Sequence, residues 1–99
     1  MWSLMNNGDA IDLLGSENGC IIADEEYRNT CRITLEKDGT TAPYSITCGI
    51  YGLMVHTVFA SSSAEAEYKY SVMKEELQAF IDSNCADSVD WCEIFTERW

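Results

Sequence analysis

The chain has one proline, one histidine and little positive charge. Lys and Arg total 6 against 17 Asp and Glu, a formal net charge of −11. Binding to nucleic acid needs clustered cations that displace counterions, so no direct nucleic-acid partner is expected. The same field repels anionic lipid and draws basic surfaces.

The lone histidine, His56, cannot complete the usual zinc patterns. The cysteines Cys20, Cys31, Cys48, Cys85 and Cys92 contain no C-x-x-C pair. No glycine cluster forms a phosphate loop or dinucleotide fingerprint, and no EF-hand loop is present. The acidic runs Asp24-Glu25-Glu26 and Glu75-Glu76, and the pair Asp87/Asp90, are spaced like solvated surface rather than like converging oxygen ligands. No metal, cofactor or catalytic residue is therefore expected. An odd number of cysteines without a pairing pattern reads as reduced thiols in a cytoplasmic chain. The opening MWSLMNNGDA has no basic n-region and no long apolar stretch, so an export signal is not expected. Tyr44 to Ala60 carries no charge, but it includes Ser45, Thr47, Gly49, Gly52, His56 and Thr57 and is short for a membrane span.

Apolar residues make up 46% of the chain, enough for one domain over 1–99 with a modest core. Asp9 to Leu14 reads as a short helix ended by Gly15. Cys31, Ile33 and Leu35 alternate with polar residues, and Asp38-Gly39 is a two-residue turn signal. Closing the hairpin there pairs Leu35 with Ala42, Ile33 with Tyr44 and Cys31 with Ile46, with all six on one face. Cys48 then lies diagonal to Cys31, too far for an unstrained disulfide. Pro43 marks an edge or irregular point. The uncharged run must break at Gly49 and Gly52, which leaves a strand from about Leu53 to Ala60. That strand is apolar on both sides and reads as central in a sheet.

The segment from Ser62 opens with a capping box, Ser62 and Glu65. Ala66, Tyr70, Met73, Leu77, Phe80 and Ile81 follow at helical spacing, which predicts a helix over about 63–83 packed on the sheet. In the tail, Cys92, Phe95 and Trp99 favour a short helix capped by Asp87 or Ser88, although Trp91, Glu93 and Phe95 also fit a strand. The expected fold is α+β: an antiparallel sheet of three or four strands, the long helix on one face and a short C-terminal helix.

Three classes of function stay open. A small enzyme would use His56 as a base or as partner to a cysteine nucleophile. A core histidine bonded to a neighbouring group is the plainer reading, since no nucleophile elbow is present. An oligomeric module would self-associate through the aromatic C-terminal segment. The favoured class is a small acidic cytoplasmic inhibitor of a basic partner such as a nuclease, toxin or defence effector. Short acidic α+β proteins of this kind serve bacteria and phages as immunity and anti-defence proteins, an analogy of type only. On this reading Tyr68, Glu75 and Asp82 repeat every seven residues on the helix back, with Glu67 at one flank. Asp24, Glu25 and Glu26 extend the surface if the fold brings them near, and Tyr68 supplies the anchor.

Overall fold

The computed structural model describes residues 2–83 and 88–99. Five antiparallel strands run in sequence order across one sheet: β1 (Trp2–Leu4), β2 (Cys20–Tyr27), β3 (Cys31–Lys37), β4 (Tyr44–Ile50) and β5 (Met54–Ala60). Helices α1 (Ser63–Asp82) and α2 (Ser88–Arg98) follow. The class is α+β as expected, with more strands than the sequence reading gave.

β1 and β2 escaped that reading for a physical reason. Ala23, Glu25 and Tyr27 of β2 pair with Leu35, Ile33 and Cys31 beneath α1. The middle position of that face is a carboxylate, so apolar alternation fails. Glu25 is tolerated there because Tyr70 Oη donates to its Oε1 at 2.8 Å and Lys74 Nζ to its Oε2 at 2.7 Å. A bulge between Ile21 and Ala23 leaves Ile22 unpaired and turns Ile21 to the opposite face. Residues 9–14 are not a helix. Asp12 N donates to Ile21 O and Ile21 N to Leu13 O, so this backbone pairs with the start of β2 instead.

The β3–β4 register is displaced from the expected one. Leu35 pairs with Ile46, Ile33 with Cys48 and Cys31 with Ile50. Asp38-Gly39 is thus the start of a longer loop, closed by Asp38 N donating to Pro43 O at 2.7 Å. Thr40 N donates to Glu17 O, which ties this loop to the 15–19 turn. The displacement is even, so the same residues face the core, and Cys31 and Cys48 remain diagonal.

Between β4 and β5, Leu53 N bonds Ile50 O, and Gly52 takes φ 76 as such a turn demands. β5 is not central. It forms an edge of the sheet, paired on one side with β4.

α1 starts where the capping box places it: Glu65 N bonds Ser62 Oγ, and Glu65 Oε1 accepts from Ser61 N. Ala66, Tyr70, Met73, Leu77, Phe80 and Ile81 are all buried, the apolar stripe read from the sequence. They pack on Cys31, Ile33, Ile46 and Cys48 of the sheet. The tail is helical, and Trp91 stacks on Phe80 at 4.2 Å and on Phe95 at 4.8 Å. Phe95 is buried, while Trp91 and Trp99 are half-buried against the same core. Asp87, a candidate cap, and Cys85 lie outside the described residues. No described helix is long and apolar enough to cross a membrane.

Candidate functional site

The helices cover one face of the sheet and leave the other open. On the open face lies a groove of about 760 Å³. Its floor is built from β3 and β4 residues that point away from α1, Arg32, Thr34, Glu36 and Thr47, with Ile21 supplied by the β2 bulge. One wall is the 10–16 segment and the other is the Tyr51–Val55 turn. The rims are apolar and exposed: Leu13, Leu14, Tyr51, Leu53 and Val55. An exposed apolar patch beside a concavity with convergent polar groups is the usual form of a binding site.

Charged groups hold the floor rigid. Asp24, fully buried, receives Arg32 Nε at 2.8 Å and Nη2 at 2.6 Å, and Thr34 Oγ1 at 3.0 Å. The Glu36 carboxylate is also buried. Its Oε1 accepts from Glu17 N at 3.2 Å and Gly19 N at 3.0 Å, which pins the 15–19 turn over the sheet. Gly15 packs directly on this carboxylate, and a Cβ there would overlap its Cδ. Tyr51 Oη donates to Glu26 Oε2 at 2.5 Å and fixes the second wall. Burial first, then this bond, pushes the Tyr51 phenol up to about 12.

The acids singled out in the sequence do not form one surface. Successive strand residues face opposite sides, so Asp24 and Glu26 lie on the open face and Glu25 under α1. Asp24 is committed to Arg32, Glu25 to Lys74 and Tyr70, and Glu26 to Tyr51. Asp82 accepts from Tyr27 Oη at 2.7 Å and Arg28 Nη1 at 3.1 Å, and these bonds hold its carboxyl below the usual range. Glu67, Tyr68 and Glu75 do stand exposed together on the back of α1. The exposed side of α2 adds Asp90, Glu93 and Glu97, with Val89 and Ile94 beside them.

His56 is half-buried on the helix-covered side of β5. Its ring meets Phe95 edge-on at 6.3 Å, and its Nε2 has no hydrogen-bond partner among the described residues. Cys48 pairs with His56 across the ladder, but burial pushes its thiol up to about 12, the opposite of an activated nucleophile. Among the described residues no group of His, Cys, Asp and Glu is placed to hold a metal ion.

The groove was not legible in the sequence. Its floor residues read as the polar side of a hairpin, one wall as a short helix over 9–14, and the other as a break at Gly49 and Gly52 leading into a strand. The one available signal was Leu13-Leu14, an apolar pair in a segment otherwise read as a short surface helix. No protein-family model matches the chain, and no curated protein or solved structure matches it either.

Proposed function

We propose that this protein is a non-catalytic acidic binder that caps a basic protein partner and blocks it. This is the cytoplasmic inhibitor reading, of immunity or anti-defence type, directed at a nuclease, toxin or defence effector. The observation that supports it is the internal use of the cations. Arg28, Arg32, Lys69, Lys74 and Arg98 each pair with a carboxylate of the same chain. Glu67, Glu75, Asp90, Glu93 and Glu97 meanwhile stand exposed. These exposed acids, in a chain of net charge −11, steer a basic surface toward the protein.

Steering raises the rate of encounter more than the affinity, so an apolar anchor is also needed. The open-face groove supplies it, with Leu13, Leu14 and Val55 as rims for an apolar side chain of the partner. Tyr68 on α1 is the alternative anchor, on a convex surface. The aromatic C-terminal segment is poorly placed for self-association, since Phe95 is buried and Trp91 is stacked between Phe80 and Phe95.

The test is affinity capture from the native cell, followed by an activity assay of the retained protein. The expected partner is basic, is inhibited stoichiometrically, and is released as salt rises. Leu14→Asp should abolish binding through the groove, and Glu67→Lys with Glu75→Lys should slow association. A partner indifferent to salt and to all three changes would sink the reading.

A further inference from the structure

We infer that β5 is the contact strand of a homodimer, in which two copies join edge to edge about a two-fold axis at Thr57 to form one continuous antiparallel sheet. Sequence and position are mismatched at this strand. MVHTVFA is uncharged and carries apolar residues on both faces, the pattern of a strand flanked on both sides. Yet β5 is an edge. Sheet edges are ordinarily blunted by charge, proline, a bulge or a very short strand. β5 has no charged residue and no proline, its pairing with β4 runs without a register shift, and it is seven residues long.

The free backbone groups can be assigned. Tyr51 N bonds Thr30 O, so odd-numbered residues at that end of β4 point toward β3 and even-numbered ones toward β5. Met54, His56, Val58 and Ala60 therefore bond back to β4, and Val55, Thr57 and Phe59 point outward. Lys69 Nζ reaches Phe59 O from outside the ladder at 3.0 Å, in agreement with that assignment, and has to swing aside or share that carbonyl when a second strand pairs there. The outward amides of Val55 and Thr57 are left to a neighbour.

A second copy fits this edge better than a basic partner does. The strand's own residues are neutral, and the charge beside them, Lys69 on Phe59 O, is of the wrong sign for a basic chain. This edge is also where two chains of −11 can meet without setting carboxylate against carboxylate. The strand is self-complementary. With Thr57 opposite Thr57 of the second copy, Val55 falls opposite Phe59 on the open face, and a β-branched residue against an aromatic is a favourable cross-strand pair. Val55 is 79% exposed and Phe59 39% in the single chain. Val55 also lines the groove, so the second copy's Phe59 would extend the groove wall. The opposite edge, β1, has only three residues, too few to pair with β5, so the assembly closes as a dimer and does not grow into a filament.

Strand-only contact lies at the small end of specific interfaces, below about 1,200 Å², so a dissociation constant on the order of 10–100 μM is expected. Sedimentation equilibrium at rising concentration should show the mass approaching twice that of the chain. Because the rest of the surface repels, dimerisation should tighten as salt rises from about 50 to about 500 mM. Capture of a basic partner should weaken over the same range, which separates the two ideas. Val55→Lys places a charge at an exposed position and should give a folded monomer. In the wild type, exchange of the Val55 and Thr57 amides should slow as concentration rises, a readout that needs no variant. A wild type that stays monomeric to about 0.5 mM at high salt, well above that affinity range, would overturn the inference. So would a Val55→Lys variant that dimerises as well as the wild type.

Discussion

Asp24 and Arg32 meet diagonally across β2 and β3 in a two-pronged ion pair, with the carboxylate fully buried and the guanidinium partly exposed. Removal of the cation leaves a buried charge with one hydroxyl partner, Thr34. Arg32→Met should therefore cost about 3 kcal/mol, the low end for breaking a buried pair, because Arg32 is itself in reach of water. Urea unfolding measures this. A loss below about 0.5 kcal/mol, the size of an exposed pair, would mean that water reaches Asp24 as well.

Glu36 holds the 15–19 turn through two backbone amides. Glu36→Ala should cost about 1–3 kcal/mol, since buried donors lose their acceptor. The exchange rate of the Gly19 amide should rise more than that of amides in α1. Equal effects on both would show that the turn is held by something other than this carboxylate.

Phe95 joins α2 to the core, in contact with Trp91 and His56. Phe95→Ala should destabilise by about 3–5 kcal/mol. The tryptophan fluorescence of the tail should shift toward that of solvated indole. An unshifted spectrum would count against the stacked arrangement.

His56 carries an Nε2 that is buried and unbonded among the described residues. Its replacement by an apolar residue of similar size removes an unsatisfied group, so His56→Leu should be neutral or stabilising. A thermal midpoint lowered by several degrees would show a partner for this ring.

The protein should be labile in alkali. Burial pushes the Cys48 thiol from 9.0 up to about 12 and raises the Tyr70 phenol from 10.0, whereas Tyr51, half exposed, adds little. These groups bind protons more tightly in the folded state. Their stabilisation is complete below the unfolded values of 9.0 and 10.0 and is lost as pH rises toward about 12 and beyond. Circular dichroism against pH should show unfolding in that window, together with tyrosinate absorbance. Flat stability through it would contradict the burial of these groups.

What the sequence determined by itself was local. The α1 capping box, its six-residue apolar stripe and the alternation of β3 are written in residues a few positions apart, and each appears as read. Only the tertiary structure decided the rest. The β3–β4 register moved because the 38–43 loop bonds to the distant 15–19 turn. β2 stayed hidden because Glu25 occupies a core-side position made tolerable by Lys74 and Tyr70, which lie far along the chain. Asp24, Glu25 and Glu26 were separated by the pleat and claimed by partners on three different elements. The groove exists because a bulge turned Ile21 to the open face and Glu36 drew a loop across it. Local propensity is set by neighbours in sequence. Which charge is buried, which edge is bare and which face is concave depend on residues that only folding brings together.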